Sequence, residues 1–131
     1  MLITLLSAVA AIALQSGTHA PVAEDGAPIS LDALPVEQST APRCGVAFAV
    51  VSRWQKAGDE RGASYPDMES EGGREFFVQA MADLMENQNL DRDQLMALVT
   101  TEVDALDTGD GAQRVEGMMP ACLLLKESAG L

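Results

Sequence analysis

The sequence predicts an all-α fold: a small bundle of four to five short helices, stapled by one disulfide. Three observations support this class. Apolar residues recur at helical spacing in several segments, no segment shows the period-two alternation of strands, and glycine and proline separate the segments. A chain of 131 residues forms one domain with a modest core, so a covalent cross-link would add substantially to its stability.

The N-terminal part of the chain predicts export. Residues 1–14 carry no charged side chain and form an apolar run that is short for a membrane span and suits a signal peptide, which we place at residues 1–20. Four of the six prolines fall between Pro21 and Pro42, among alanine, serine, threonine and acidic residues. We therefore predict a disordered linker at 21–41, a single helical domain at 42–128 and a periplasmic or secreted location. The alternative is an apolar N-terminal helix of a cytosolic protein.

The two cysteines, Cys44 and Cys122, each stand two residues after a proline and head an apolar run. In a small exported protein such a pair forms a disulfide more often than anything else, because the compartment is oxidising and the core is small. The repeated pattern also predicts that two helices start alike and are joined through their first turns. A redox couple is the alternative, since a helix N-terminus activates a thiol, although no Cys-x-x-Cys pair is present.

The first helix is predicted from Pro42 to Ala57, because proline suits the first helical position and Gly58 ends the segment. One face carries Val50 and Trp54, and Phe48 lies on the opposite side. A helix with apolar residues on opposite sides is buried by its neighbours, so we expect this helix to be the central one.

The segment 58–73 is predicted to be a long loop, because it contains four glycines and a proline and has no helical periodicity. Loops of this length are uncommon in compact domains unless they bind something or are ordered by their own contacts. Tyr65 and Met68 are its only large apolar residues, and with Trp54 they are the predicted binding residues. The alternative is that Tyr65 and Met68 pin the loop to the core.

Three further helical segments follow the loop. The second helix is expected at about 74–88, where phenylalanine, methionine and leucine recur at helical spacing. The third has the clearest start signal, a capping box in which Asp91 caps the helix and Gln94 stands three residues later. The last helical region is expected to break near Gly117 and to restart at Pro120.

Residue types argue against most catalytic and metal chemistry. The only histidine, His19, lies in the predicted signal peptide, so the mature domain would have no imidazole for a nucleophile or a zinc site. Alternating Asn and Asp from Asn87 resemble a calcium loop, but Arg92 and Leu98 stand where glycine and glutamate belong. The methionines suit core packing better than copper binding. We therefore predict no catalytic residue, no metal and no cofactor.

Charge limits the choice of partners. The formal net charge of −12 makes nucleic acid and anionic membrane surfaces poor partners, and we expect no stable membrane insertion after signal removal. The function that these observations favour is non-enzymatic binding of another protein, as in an envelope-stress helper, an inhibitor or an immunity-type protein. Two alternatives stay open: a thiol-disulfide redox protein that uses Cys44 and Cys122, and a structural accessory subunit of an envelope complex.

Overall fold

A computed structural model describes residues 30–131. The predicted signal peptide and the linker as far as residue 29 lie outside the described residues. Between Ser30 and Leu131 the chain is all-helical, without strands, which confirms the predicted fold class. The elements are a 3₁₀ turn at Leu31–Ala33, α1 at Val36–Lys56, a 3₁₀ turn at Glu60–Gly62, α2 at Gly73–Gln88, α3 at Arg92–Asp107 and α4 at Gly111–Ser128.

Helix α1 lies at the centre of the bundle and packs against each of the other three helices, as its apolar residues on opposite sides predicted. Helices α1 and α2 are antiparallel. At one end of the pair the side chains of Gln38 and Gln88 are hydrogen-bonded, and nearer the other end the rings of Phe48 and Phe76 meet edge to face. The buried side chains of α1 form the core together with those that the other helices turn inward.

The start of α1 differs from the prediction. The helix begins at Val36 rather than at Pro42, so residues 30–41 belong to the helical domain and not to a linker. The reason is burial: Leu31 is completely inaccessible, and Leu34 also packs against the core. Pro42 therefore lies inside the helix, where it has no N–H to donate to the carbonyl of the residue four positions earlier.

Helix α4 is continuous, so the expected break near Gly117 and restart at Pro120 are wrong. Val115, Met119 and Cys122 are buried at spacings of four and three residues and hold one face of the helix against the bundle. Gly117 and Pro120 are both exposed. Packing of the apolar stripe thus outweighs the low helix propensity of these two residues.

We expect the substitution Gly117→Ala to raise the free energy of unfolding by about 0.5–1 kcal/mol. The glycine lies inside α4, its φ is not positive, and an added Cβ would meet no atom within 4 Å. Urea unfolding measures the change. The control is Gly109→Ala. Gly109 also faces open space, but its φ is +58°, so this substitution is expected to lower the free energy of unfolding by about 1 kcal/mol. An equal response of the two variants would contradict the prediction.

The predicted disulfide between Cys44 and Cys122 is present, with Cα atoms 5.2 Å apart. Its position in the helices differs from the expectation. Cys44 lies in the third turn of α1 and Cys122 in the middle of α4, because both helices begin well before the prolines that were expected to start them. The bond therefore joins the middles of the first and last helices rather than their first turns.

The predicted capping box of α3 is confirmed. The carboxylate of Asp91 accepts a hydrogen bond from the backbone N–H of Gln94 at 2.8 Å, and the side chain of Gln94 accepts one from the N–H of Asp91 at 2.9 Å. The second helix also lies where its apolar spacing placed it, since α2 ends at Gln88 and is followed by Asn89 in the left-handed conformation. Local sequence signals are reliable here because both ends are determined by near neighbours in sequence.

Candidate functional site

The long connection between α1 and α2, residues 57–72, is tied down by the side-chain amide of Gln55. The Nε2 atom of Gln55 donates to the carbonyls of Gly62, Tyr65 and Pro66 at 3.1, 3.2 and 2.8 Å. Its Oε1 atom accepts from the backbone N–H of Met68 at 3.1 Å. One half-buried side chain on the last turn of α1 thus satisfies backbone groups along half of the connection.

A buried lysine of α4 holds the far end of the same connection. The amine of Lys126 donates to the carbonyl of Glu71 at 2.5 Å and to the main-chain oxygen of Leu131 at 3.1 Å. The residue is only 7 % exposed. Its position shows that the connection is packed against both α1 and α4, so its shape is set by the bundle.

The structure places the three predicted binding residues mainly in the core. Met68 is completely buried, Trp54 is 2 % exposed and Tyr65 is half-buried. The indole N–H of Trp54 donates to Asp107 at 2.6 Å, and the guanidinium of Arg61 lies over the indole ring, 4.5 Å from its centroid. Partner binding by these residues remains a prediction, and their burial favours the alternative, in which they fasten the loop to the core.

Tyr65 is the only tyrosine of the chain, and its pKa lies above the ordinary value of 10.0, mainly because burial disfavours the charged phenolate and secondly because Glu116 is nearby. We expect the tyrosinate absorbance to appear at a higher pH than in the unfolded chain. Because the folded-state pKa is raised, the contribution of Tyr65 to stability is complete below about pH 10 and is lost as the pH rises through the folded pKa.

The control for this titration is Glu116→Gln, which removes the neighbouring charge and should lower the midpoint of the folded protein without changing that of the unfolded chain. A folded-state midpoint at or below that of the unfolded chain would contradict the assignment.

A concave surface lies between α1 and α2, and we call it the α1–α2 groove. Its volume is about 550 Å³, which falls in the usual range of ligand sites. Gly45 marks the close approach of the two helices, since a Cβ there would lie 3.3 Å from the Cα of Phe77. The groove is lined by the later part of α1, the start of α2 and two residues of the connection between them: Phe48, Ala49, Ser52, Arg53, Lys56, Ala57, Glu69, Gly73, Arg74 and Phe77.

Basic residues are concentrated around this groove. Three of the eight basic residues of the chain line it, namely Arg53, Lys56 and Arg74, together with only one of the twenty acidic residues, Glu69. The amine of Lys56 lies 3.5 Å from the carboxylate of Glu69. Arg53 lies 3.5 Å from the carboxylate of Asp107, and Arg74 has no ion pair or hydrogen-bonded partner among the described residues. The groove thus carries local positive charge on a strongly acidic molecule.

Sequence reasoning missed this groove, although a signal for it exists. Phe48, Ser52 and Lys56 follow one another at intervals of four residues, and therefore lie on one side of α1. Ser52 is small, which leaves space beside the neighbouring helix. The loop that was expected to bind a partner does border the groove, but it contributes Glu69 rather than Tyr65 or Met68.

Across residues 30–131, no group of three or more histidine, cysteine, aspartate or glutamate side chains is arranged to hold a metal ion. The two cysteines are joined and nearly inaccessible, at 3 % and 2 % exposure. None of the described helices is long and apolar enough to cross a membrane. The chemistry that the groove does offer is apolar contact combined with cationic side chains.

No protein-family model matches the chain, and neither curated proteins nor solved structures include a significant match to it.

Proposed function

We propose that the protein acts non-enzymatically by binding a segment of another protein in the α1–α2 groove, in the periplasm or outside the cell. The observation that carries this proposal is the groove itself, an open cavity of about 550 Å³ with phenylalanine and alanine in its lining. Apolar clefts of this kind accept the side chains of a partner, because their walls are poorly hydrated and the partner side chain becomes buried. The disulfide supports the exported location, since such bonds persist in oxidising compartments.

The two alternatives receive less support from the structure. A thiol-disulfide redox protein needs a sulfur atom that a second thiol can reach, whereas Cys44 and Cys122 are both buried. A structural accessory subunit would use a large and permanent interface. The exposed large apolar residues, Val36, Val78, Met96 and Leu124, occur one to a helix. Single exposed apolar side chains are common on monomeric proteins and do not indicate such an interface.

The proposal is tested by filling the groove. In Ala49→Trp a half-buried lining residue is enlarged, and proteins captured from envelope extract by immobilised variant and wild type are compared quantitatively by mass spectrometry. The amount of a genuine partner captured by the variant is expected to be at least tenfold lower than the amount captured by wild type, since the partner's side chain can no longer enter the groove. The matched control, Ala105→Trp, places the same side chain on an exposed position of α3 and should retain the partner.

Circular dichroism and urea unfolding establish that Ala49→Trp is folded. If no protein distinguishes Ala49→Trp from both wild type and Ala105→Trp, the groove is not the binding site and the proposal is wrong.

A further inference from the structure

We propose that the partner segment carries a large apolar side chain next to a carboxylate, the apolar group entering the α1–α2 groove and the carboxylate meeting its basic border. This inference rests on the proposed function and specifies the chemistry of the partner. The juxtaposition that carries it is an apolar floor bordered by three cations on a protein of net charge −12.

The floor of the groove selects an apolar group. Phe48 is 1 % exposed and packs into the core beneath the groove, while Phe77 and Ala49 are half-buried beside it. Ser52 supplies the one uncharged polar side chain among the lining residues. A polar group placed on this floor would lose its hydration without finding enough partners, whereas an apolar side chain would be stabilised by the area that it buries.

The border of the groove selects a negative charge. Arg74 is exposed and has no partner among the described residues, so it is available to a ligand. Arg53 and Lys56 have side chains that are each 61 % exposed, and each has a carboxylate at 3.5 Å. The pair of Lys56 and Glu69 is exposed on both sides and contributes little, so Lys56 can turn toward an incoming carboxylate at small cost. Arg53, whose partner Asp107 is only 21 % exposed, adds its charge to the border without having to move. An arginine can also bind a carboxylate through two hydrogen bonds.

The charge of the whole molecule makes this local attraction selective. A protein of charge −12 repels extended acidic partners, and a long acidic surface would therefore approach poorly. A short segment that places one or two carboxylates beside its apolar anchor can reach Arg74, which has no partner among the described residues, while the rest of the segment avoids the acidic surface. A basic segment is attracted at long range, but at the groove it would face Arg74 and its neighbours.

The test uses fluorescein-labelled peptides of one sequence, with a Phe-Leu anchor flanked by glutamates, by glutamines or by lysines. Binding to the full chain with its disulfide intact is followed by fluorescence anisotropy. A peptide with the anchor replaced by Gly-Ser serves as the blank. We expect the glutamate peptide to bind at least tenfold more tightly than the glutamine peptide, and the lysine peptide to bind most weakly.

Two variants identify the site. Arg74→Glu is expected to lower the affinity for the glutamate peptide at least fivefold more than it lowers the affinity for the glutamine peptide. Arg92→Glu is the matched control, because Arg92 is also an exposed arginine without a partner in the described region, in the first turn of α3. An acidic residue suits the first turn of a helix, so both variants should fold. Ala49→Trp should abolish binding of all the peptides.

The outcomes separate this inference from the proposed function. If the glutamine or lysine peptide binds at least as tightly as the glutamate peptide and Ala49→Trp abolishes its binding, the groove binds protein segments and the charge inference is wrong. If no peptide binds better than the blank, both proposals are overturned. If decanoate binds with dependence on Arg74 while the peptides do not, the occupant is a small amphiphilic anion, which also overturns the inference.

Discussion

Replacing both Cys44 and Cys122 with alanine is expected to lower the free energy of unfolding by about 3–4 kcal/mol. The bond closes a separation of 78 residues, for which constraint of the unfolded chain gives about 4 kcal/mol, and removal of native disulfides from small domains typically costs about 2–5 kcal/mol. Both side chains are buried, so the two alanines also remove packing atoms. Urea unfolding monitored by circular dichroism measures the loss.

The control for this experiment is wild-type protein unfolded in the presence of a reductant, which breaks the bond without removing any atoms of the core. Its midpoint should fall below that of the oxidised protein and at or above that of the double-alanine variant, the difference between the last two being the loss of packing atoms. A loss below about 1 kcal/mol in both samples would contradict the stabilising role of the bond.

The substitution Gln55→Leu is expected to lower the free energy of unfolding by about 2–4 kcal/mol and to increase local opening of residues 57–72. Leucine has a similar size but can neither donate to the carbonyls of Gly62, Tyr65 and Pro66 nor accept from the N–H of Met68. Each hydrogen bond contributes about 1 kcal/mol, and backbone groups that are left buried without a partner cost more. Urea unfolding gives the total change, and hydrogen exchange locates it in the loop.

Limited trypsin digestion adds a local test of the same variant. The peptide bond after Arg61 lies in the loop, and we expect it to be cut much faster in Gln55→Leu than in wild type. The control is Gln113→Leu, since Gln113 is an exposed glutamine of α4 whose side chain has no hydrogen bond among the described residues. If cleavage and stability were the same in the two variants, the proposed role of Gln55 would have to be abandoned.

The elements that the sequence predicted best are those determined by local chemistry. The capping box at Asp91 and Gln94 is specified within three residues, and the spacing of apolar residues in α2 needs no knowledge of the rest of the fold. The disulfide was predictable from composition and context, because two cysteines leave a single possible pairing.

The errors arose where packing outweighs local preference. Pro42 and Pro120 both favour a helix start, yet both lie inside helices, because buried residues on either side hold the helix in place. The linker predicted at 21–41 includes Leu31, because the burial of Leu31 depends on contacts with residues that are distant in sequence. No local pattern contains that information.

The candidate site was only partly accessible from the sequence. The length of the loop is visible in the sequence, but whether Met68 faces solvent or the core depends on Gln55 and the helices beneath it. The groove requires two helices to be placed side by side, with Gly45 near Phe77 and with Arg74 across from Arg53. Such a site exists only once the tertiary arrangement is known, so periodicity within each helix was insufficient to predict it.

The bond between the middles of the first and last helices makes residues 44–122 a closed covalent ring. This ring contains the exposed loop and every residue that lines the α1–α2 groove. A protease that cuts a single peptide bond inside the ring opens the chain without releasing a fragment, and the two pieces remain linked through sulfur. A nicked molecule would therefore keep both walls of the α1–α2 groove together, and would separate into two bands on a gel only after reduction.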